Sequence, residues 1–227
     1  MTLGSYLYRL IYFQYLKSYS FLFCLRHLPW YQAKKIPILI SPKVRLGVIR
    51  ERGIRIVGPI SPYMIQIGMK NGSEGFPHGN TYISVHPGGL LEFNGKAVIS
   101  EGTCIRVDKE KLTIGSDFYC NNNCFLRVTR NIVIGNDVMF GWNIILNTSN
   151  GHPVYRNGVE RPMESPITIG NHVWIASDTS VCKGVTIADG CLVLQKSLLN
   201  GHYDIPHSLI AGNPARIITS DYVWRRE

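Results

Sequence analysis

From residue 167 onward, an aliphatic residue returns at every sixth position of the chain. These positions are Ile169, Ile175, Val181, Ile187, Val193 and Leu199. A small or β-branched residue stands four places after each of the first five: Val173, Thr179, Val185, Cys191 and Ser197. A helix face repeats about every 3.6 residues and an alternating strand about every two, so neither explains a period of six. The pattern predicts one short strand and one turn per unit, stacked into a solenoid with an axial aliphatic core.

The same period continues upstream in an interrupted form. Ile99 and Ile105 are six residues apart, and two sets of three follow after a three-residue insertion and a two-residue slip: Ile114, Cys120 and Leu126, then Ile134, Phe140 and Leu146. Segments such as "KVRLGVI" and "GIRIVGPI" fit the frame only loosely. We therefore expect an all-β domain, with regular coils over residues 88–218 and irregular coils over residues 36–87. A helical extension over residues 1–35 and a C-terminal tail over residues 219–227 complete the predicted organisation.

The repeat is interrupted once over a long stretch. The twenty residues "NTSNGHPVYRNGVERPMESP", residues 147–166, contain three Pro and two Gly and have no hexapeptide frame. An insertion of this length inside a solenoid must loop out from its surface. His152 stands near the start of the loop, and loops on rigid scaffolds are common sites of binding and chemistry.

These units resemble the bacterial hexapeptide-repeat acyltransferases. In that family three hexapeptides form one triangular coil, and the coils wind left-handed. The segment "GWNIILNTSNGHPVYRNG…SPITIGNHVWIASDTSVCKGVTIADG" is similar throughout to sugar O-acetyltransferases of the galactoside, maltose and polysaccharide type. The resemblance implies an all-β, left-handed parallel β-helix with an N-terminal helical extension and one extruded loop. It also implies acetyl-CoA as the co-substrate, a sugar or glycan acceptor, no metal, and a homotrimer whose sites lie between neighbouring subunits.

The resemblance implies that His152 is the general base. A sugar hydroxyl is a poor nucleophile near neutral pH and must lose its proton as it attacks the thioester carbonyl. Imidazole titrates close to neutral pH and can accept that proton. Because both substrates can be held together, direct transfer needs no Ser or Cys nucleophile, and approximation of the substrates supplies much of the rate.

The same comparison implies the donor-binding residues. The developing oxyanion would be stabilised by the backbone N–H of Ser177, beside Ala176 and Trp174, although Trp174 is equally consistent with a Trp that packs at a coil corner. Where the family has small residues along the pantetheine arm, this chain has Gln195 and Lys196. The usual Lys for the CoA phosphates is missing from its place, and the candidates to replace it are Lys183, Lys196 and Arg216.

The acceptor side is implied by "FYCNNNCF". It aligns with a Tyr-x-Asn-x-Asn element, which makes Asn121 the ligand of a sugar hydroxyl, with Tyr119 and Asn123 as neighbours. The alternative is a structural ladder of Asn at coil corners. An acid that the family carries further along is Thr129 here, so the identity of the acceptor does not transfer.

The charge is concentrated at the N-terminus. Residues 1–57 contain ten Lys or Arg and one acid, and so carry the whole net charge of +9. The stretch "LGSYLYRLIYFQYLKSYSFLFCLRHLPWY" is aromatic and Leu-rich, but its basic residues interrupt any spanning run, and it lacks the features of a secretory signal. An interfacial helix on an anionic membrane fits this composition. We expect a cytoplasmic protein, peripheral on the inner face of the bacterial plasma membrane through residues 1–57, where an acceptor could be lipid-linked. The alternative is a helix packed on the domain or on a neighbouring subunit.

Other functions fit the sequence less well. An amino-sugar N-acetyltransferase is the main rival, and a non-catalytic scaffold is another. A zinc lyase of the γ-carbonic anhydrase type would use His202 and His207, but the His-Pro loop has no place in it. His172 is interpreted as a surface or capping residue. There is no GxxxxGK[ST] sequence and no nucleic-acid motif. Six irregularly placed cysteines indicate reduced thiols, with Cys120 and Cys124 at core positions of the repeat.

Overall fold

The computed structural model describes residues 3–70 and 79–226. The parts of the predicted ranges at residues 1–2, 71–78 and 227 therefore lie outside the described residues. The chain begins with two helices, α1 (Leu3–His27) and α2 (Trp30–Ala33), and continues as short strands.

The strands form three parallel sheets, and successive strands pass from one sheet to the next. The first sheet contains β1 (Ile38–Ile40), β4 (Ile65–Met69), β7 (Ala97–Ser100), β10 (Phe118–Cys120), β13 (Met139–Phe140), β18 (Trp174–Ile175), β21 (Leu192–Val193) and β24 (Leu209–Gly212), with β25 (Ala215–Thr219) antiparallel at its edge. The second contains β2 (Arg45–Ile49), β5 (Tyr82–Val85), β8 (Cys104–Val107), β11 (Phe125–Val128), β14 (Ile145–Asn147), β19 (Ser180–Val181) and β22 (Leu198–Leu199). The third contains β3 (Ile54–Ile56), β6 (Gly89–Phe93), β9 (Glu110–Ile114), β12 (Ile132–Ile134), β17 (Ile167–Ile169), β20 (Thr186–Ile187) and β23 (His202–Tyr203). Each turn of the solenoid thus contributes one strand to each of three faces.

The aliphatic positions of the repeat form three inward columns. On the first face, the residues in register are Ile40, Ile67, Ile99, Cys120, Phe140, Ile175, Val193 and Ile210, all at most 1% exposed. The other two faces stack Ile105, Leu126, Leu146, Val181 and Leu199, and Ile114, Ile134, Ile169 and Ile187. Burial of these columns is the main stabilising contribution. The prediction of a left-handed parallel β-helix with an axial core is confirmed.

The C-terminal half of α1 and the short α2 cover the first coil. The Ser20 hydroxyl accepts a hydrogen bond from the Ile40 N–H at 3.0 Å, and the Gln32 side chain donates to the Ile56 carbonyl at 3.1 Å. Phe23 and Cys24 are buried against the same coil. The open edge of a sheet offers unpaired backbone groups, and these contacts satisfy part of that edge. Residues 16–33 therefore pack on the main domain, which is the alternative that the sequence left open beside the membrane-interface helix.

Among the described residues, neither helix combines the length and the apolar character that crossing a bilayer would require.

The six cysteines are all free thiols. Burial raises the pKa of the Cys24 thiol to about 11, and burial together with the adjacent Cys124 raises the pKa of Cys120 well above its ordinary value. Such thiols stay protonated at neutral pH and are poor nucleophiles and metal ligands.

The columns predict how strand β12 responds to substitution. Ile134→Ala removes a side chain that is 1% exposed and should lower the free energy of unfolding by about 2–5 kcal/mol. Val133→Ala, on the same strand but 40% exposed, should change it by less than about 1 kcal/mol. Urea unfolding followed by circular dichroism measures both, and equal effects would contradict the assignment of the inward face.

Candidate active site

A cavity of about 260 Å³ lies on the first face, where it turns into the second. Six of the lining residues were predicted as acceptor-side or donor-side residues: Tyr119, Asn121, Trp174, Ala176, Ser177 and Gln195. Four more were not predicted: Met139, Phe140, Gly141 and Trp142. These residues come from four successive coils that pair in parallel. Residues separated by up to 76 positions in the sequence thus line one cavity.

The aromatic wall of the cavity stands on adjacent strands. Met139 of β13 is in register with Tyr119 of β10 on one side and with Trp174 of β18 on the other. All three side chains point outward, because the next residue of each strand belongs to the inward column. Trp174 therefore lies within strand β18, and the alternative interpretation, which placed it at a coil corner, was wrong.

The corner beside this wall has the same backbone conformation in successive coils. Asn123, Asn143, Asp178 and Lys196 all have φ between 57° and 61°. Asn and Asp adopt this left-handed conformation readily, and a Lys rarely does. Asn143 Nδ2 donates to Asp178 Oδ1 at 2.8 Å, which links two of the corners directly. The corners are thereby held in a fixed stack.

Gly141 provides the space in front of Ser177. A Cβ at position 141 would lie 2.6 Å from both the amide nitrogen and the hydroxyl oxygen of Ser177. The Ser177 hydroxyl accepts the Trp142 N–H at 3.0 Å, whereas the Ser177 N–H has no acceptor within the part of the chain that the structure describes. A backbone donor without an internal partner, next to a cavity, can bind an anionic oxygen.

The Asn residues of "FYCNNNCF" have different environments. Asn121 lines the cavity, and its Oδ1 accepts the Asn122 N–H at 3.0 Å. Asn122 is fully buried, and its side chain donates to the Glu101 carbonyl at 3.2 Å. Asn123 occupies the left-handed corner position and accepts the Gly79 N–H, so its visible role is structural. The corner ladder considered from the sequence therefore describes Asn123, and acceptor binding remains a prediction for Asn121 and Tyr119.

The inserted loop forms a short antiparallel hairpin, β15 (Val154–Arg156) and β16 (Val159–Arg161), and both strands are exposed. His152 precedes the hairpin, is exposed, and is not among the residues that line the cavity. A bridge between Ser149 and Glu164 closes the base of the loop. Within a single chain the predicted base and the cavity are thus separate.

The three candidate cations are placed differently. The Lys183 ammonium donates to the Pro162 carbonyl at 2.8 Å and so ties the end of the loop to the solenoid. Lys196 is exposed at the corner that follows Gln195, and its N–H donates to the Ser177 carbonyl at 3.0 Å. Arg216 is exposed on β25 and donates to the Ala215 carbonyl. Of the three, Lys196 is adjacent to the cavity.

Among the described residues, no group of three or more His, Cys, Asp or Glu side chains is arranged to hold a metal ion. His202 Nδ1 lies 2.9 Å from the Thr186 hydroxyl. The interpretation of His172 as a surface or capping residue was incomplete, because its ring contacts the Asp137 carboxylate and the Trp224 carbonyl. The position of His172 in the hexapeptide repeat gave no indication of these contacts.

The chain is similar in sequence to known O-acetyltransferases. It is 37% identical over 110 residues to the galactoside O-acetyltransferase of Escherichia coli (strain K12), covering 46% of this chain and 52% of the relative. It is 28% identical over 149 residues to the polysialic acid O-acetyltransferase of Escherichia coli O1:K1 / APEC, covering 64% of this chain and 45% of the relative. The chain spans about half the length of these curated relatives. No family model matches it.

The fold is also found in a solved structure. The crystal structure of the polySia-specific acetyltransferase NeuO aligns with a TM-score of 0.55 and 21% sequence identity, covering 83% of this chain and 89% of that one. At this identity the alignment demonstrates the shared fold. The resemblance to hexapeptide-repeat sugar O-acetyltransferases that the sequence predicts is therefore confirmed.

Proposed function

We propose that the chain is an acetyl-CoA-dependent O-acetyltransferase that acts on a hydroxyl of a sugar or surface-polysaccharide unit. The observation that carries the proposal is the cavity where the predicted acceptor residues Tyr119 and Asn121 meet the predicted donor residues Trp174 and Ser177. The sequence similarity to two sugar O-acetyltransferases supports oxygen as the nucleophile.

In the proposed mechanism, His152 accepts the proton of the acceptor hydroxyl as its oxygen attacks the thioester carbonyl. The Ser177 N–H stabilises the negative charge that develops on the carbonyl oxygen, in the space that Gly141 leaves open. The carbon–sulfur bond then breaks, and His152 returns its proton to the departing thiolate. The products are an acetyl ester and coenzyme A with a free thiol.

The activity is tested by incubating the purified protein with acetyl-CoA and a panel of sugars and oligosaccharides while free thiol is measured. Acceptor-dependent thiol release and a product that hydroxylamine cleaves indicate an ester. A hydroxylamine-resistant product would identify an N-acetyltransferase instead. Acceptor-independent thiol release alone, or none with any acceptor, would contradict the proposal.

The role of His152 gives a specific expectation. His152→Ala should lower kcat by about a hundred-fold or more while folding and the affinity for acetyl-CoA stay near normal. His86→Ala replaces a histidine that does not line the cavity and should leave kcat unchanged. Steady-state kinetics measure both variants, and a His152→Ala enzyme that keeps more than about a tenth of wild-type turnover would remove His152 from the mechanism.

His152 does not line the cavity of its own chain, which supports a site shared between copies in the homotrimer that the resemblance implies. A neighbouring copy can bring its extended loop to the cavity, which would complete a site that one chain leaves open. We expect multi-angle light scattering to give three times the chain mass of 25.6 kDa. A monomer mass at the assay concentration, with activity intact, would contradict both the trimer and the shared site.

The N-terminal half of α1 supports a membrane-bound location. Six apolar side chains of residues 7–15 are 41–61% exposed: Leu7, Leu10, Ile11, Tyr12, Phe13 and Tyr15. Arg9 is exposed within this stretch, Arg26, Lys34 and Lys35 are exposed further along the chain, and no acidic residue occurs before Glu51. An exposed apolar and aromatic helix surface that contains Arg9 and no acid suits the interface of an anionic bilayer, whereas a second copy would bring a like charge of +9. The protein would then be cytoplasmic and peripheral on the inner face of the bacterial plasma membrane, close to a lipid-linked acceptor.

Vesicle flotation tests this location. The full chain should float with vesicles that contain anionic lipid, stay down with zwitterionic vesicles, and dissociate as salt is raised. Leu10→Glu/Ile11→Glu should abolish flotation without unfolding, since these two side chains are 47% and 61% exposed.

The matched control Val133→Glu/Ile218→Glu places the same two charges on exposed positions of the solenoid and should float as the wild type does. If the full chain stays with the soluble fraction at low salt, and Leu10→Glu/Ile11→Glu instead lowers the oligomeric mass, this surface is a subunit interface.

A further inference from the structure

The end of the chain returns along the solenoid as a C-terminal strap, residues 220–226. After β25, the Tyr222 N–H donates to the His207 carbonyl at 2.7 Å. Two residues later, Trp224 is 5% exposed, and its Nε1 donates to the His172 carbonyl at 3.0 Å. Arg226 then donates to the Asp117 carbonyl at 2.9 Å. The strap therefore crosses the corners between the third and first faces and runs back from the last coil toward earlier ones.

A stacked pair anchors the middle of the strap. The His172 and Trp224 rings lie parallel, with an interplanar angle of 3° and centroids 4.1 Å apart. His172 Nε2 lies 3.1 Å from the Trp224 carbonyl, and Nδ1 lies 2.6 Å from Asp137 Oδ2. Arg226 is 3.4 Å from the other oxygen of Asp137. Ring stacking and charged hydrogen bonds thus hold Trp224 at one place and orientation.

Trp224 also contacts the wall of the cavity. The centroids of the Trp224 and Trp174 rings are 5.9 Å apart, and the two ring planes are inclined by 55°. His172 precedes β18, and Ala176 and Ser177 follow it, so Trp174 stands between the strap on one side and the cavity on the other. Trp174 is only half-buried, and a partly exposed side chain can exchange between rotamers unless a neighbour restricts it.

We propose that Trp224 is a positioning residue, which holds the Trp174 indole against the cavity and thereby strengthens binding of the acyl-CoA donor. The inference rests on the proposed function, because it takes the cavity to be the donor site. Trp224 itself does not line the cavity, so its effect passes through Trp174. The proposal concerns donor affinity and leaves the proton transfer at His152 unaffected.

Isothermal titration of the full-length protein with coenzyme A tests the proposal. Trp224→Ala should weaken coenzyme A binding about three- to ten-fold, as loss of an aromatic contact predicts, and should raise the KM for acetyl-CoA by a similar factor. At saturating acetyl-CoA, kcat should stay within about two-fold of wild type. Trp224→Phe keeps a stacking ring and should restore most of the affinity. Val223→Ala, which changes a neighbouring side chain that is 70% exposed, should have no effect.

A double-mutant cycle separates positioning from general destabilisation. If Trp224 acts through Trp174, the Trp174→Ala/Trp224→Ala protein should bind coenzyme A no more weakly than Trp174→Ala alone. Additive losses, or wild-type affinity in Trp224→Ala, would overturn the proposal while the proposed function stands. A wild-type protein that does not bind coenzyme A would overturn the proposed function, and the positioning role with it.

Discussion

Every coil of the solenoid is held in place because its inward side chains stack on the same positions of the coils above and below. Each coil pairs its three short strands with the coils above and below, so a strand of two residues is stable only because both edges are occupied. The inward columns bury Ile, Val, Leu and Phe against the same column of the next coil. The consequence is a rigid rod whose two ends are the places where pairing and burial have to stop.

The two ends are closed in different ways. At the N-terminal end, Ser20 and Gln32 supply hydrogen bonds to the first coil from helices. At the C-terminal end, β25 turns back on β24 as an antiparallel strand, and the C-terminal strap continues down the corner. Terminal units of a solenoid need such atypical caps because their outer face has no further coil to pack on. Both caps also lead to surfaces for which we propose further roles, an exposed apolar helix in one case and the Trp174 wall in the other.

The candidate site arises where regular coils carry irregular outward residues. The backbone of the corner repeats from coil to coil, as the shared φ of Asn123, Asn143 and Asp178 indicates. Differences in side-chain size then create the cavity: Gly141 removes volume beside Ser177, while Trp174 and Trp142 add walls. A rigid scaffold keeps such a cavity in place, which is the condition for positioning two substrates. The loop with His152 also projects from this rigid scaffold, but it is exposed and does not line the cavity of its own chain.

The architecture could be predicted from the sequence alone, because a period of six is a local property that inward burial imposes on successive coils. Although insertions interrupt the period, the repeat positions from Ile99 to Leu199 are all at most 3% exposed. The sequence also predicted most of the cavity lining, since Tyr119, Asn121, Trp174, Ser177 and Gln195 lie in segments that the resemblance to the acyltransferases had singled out. The sequence could not predict which half of α1 packs on the first coil, because an aromatic, Leu-rich helix can be buried or exposed with the same pattern. Only the tertiary structure placed Gly141 and Met139 at the cavity and brought Trp224 to His172 and Trp174, since contacts between residues 50 positions apart depend on the register of coils and on the path of the returning chain.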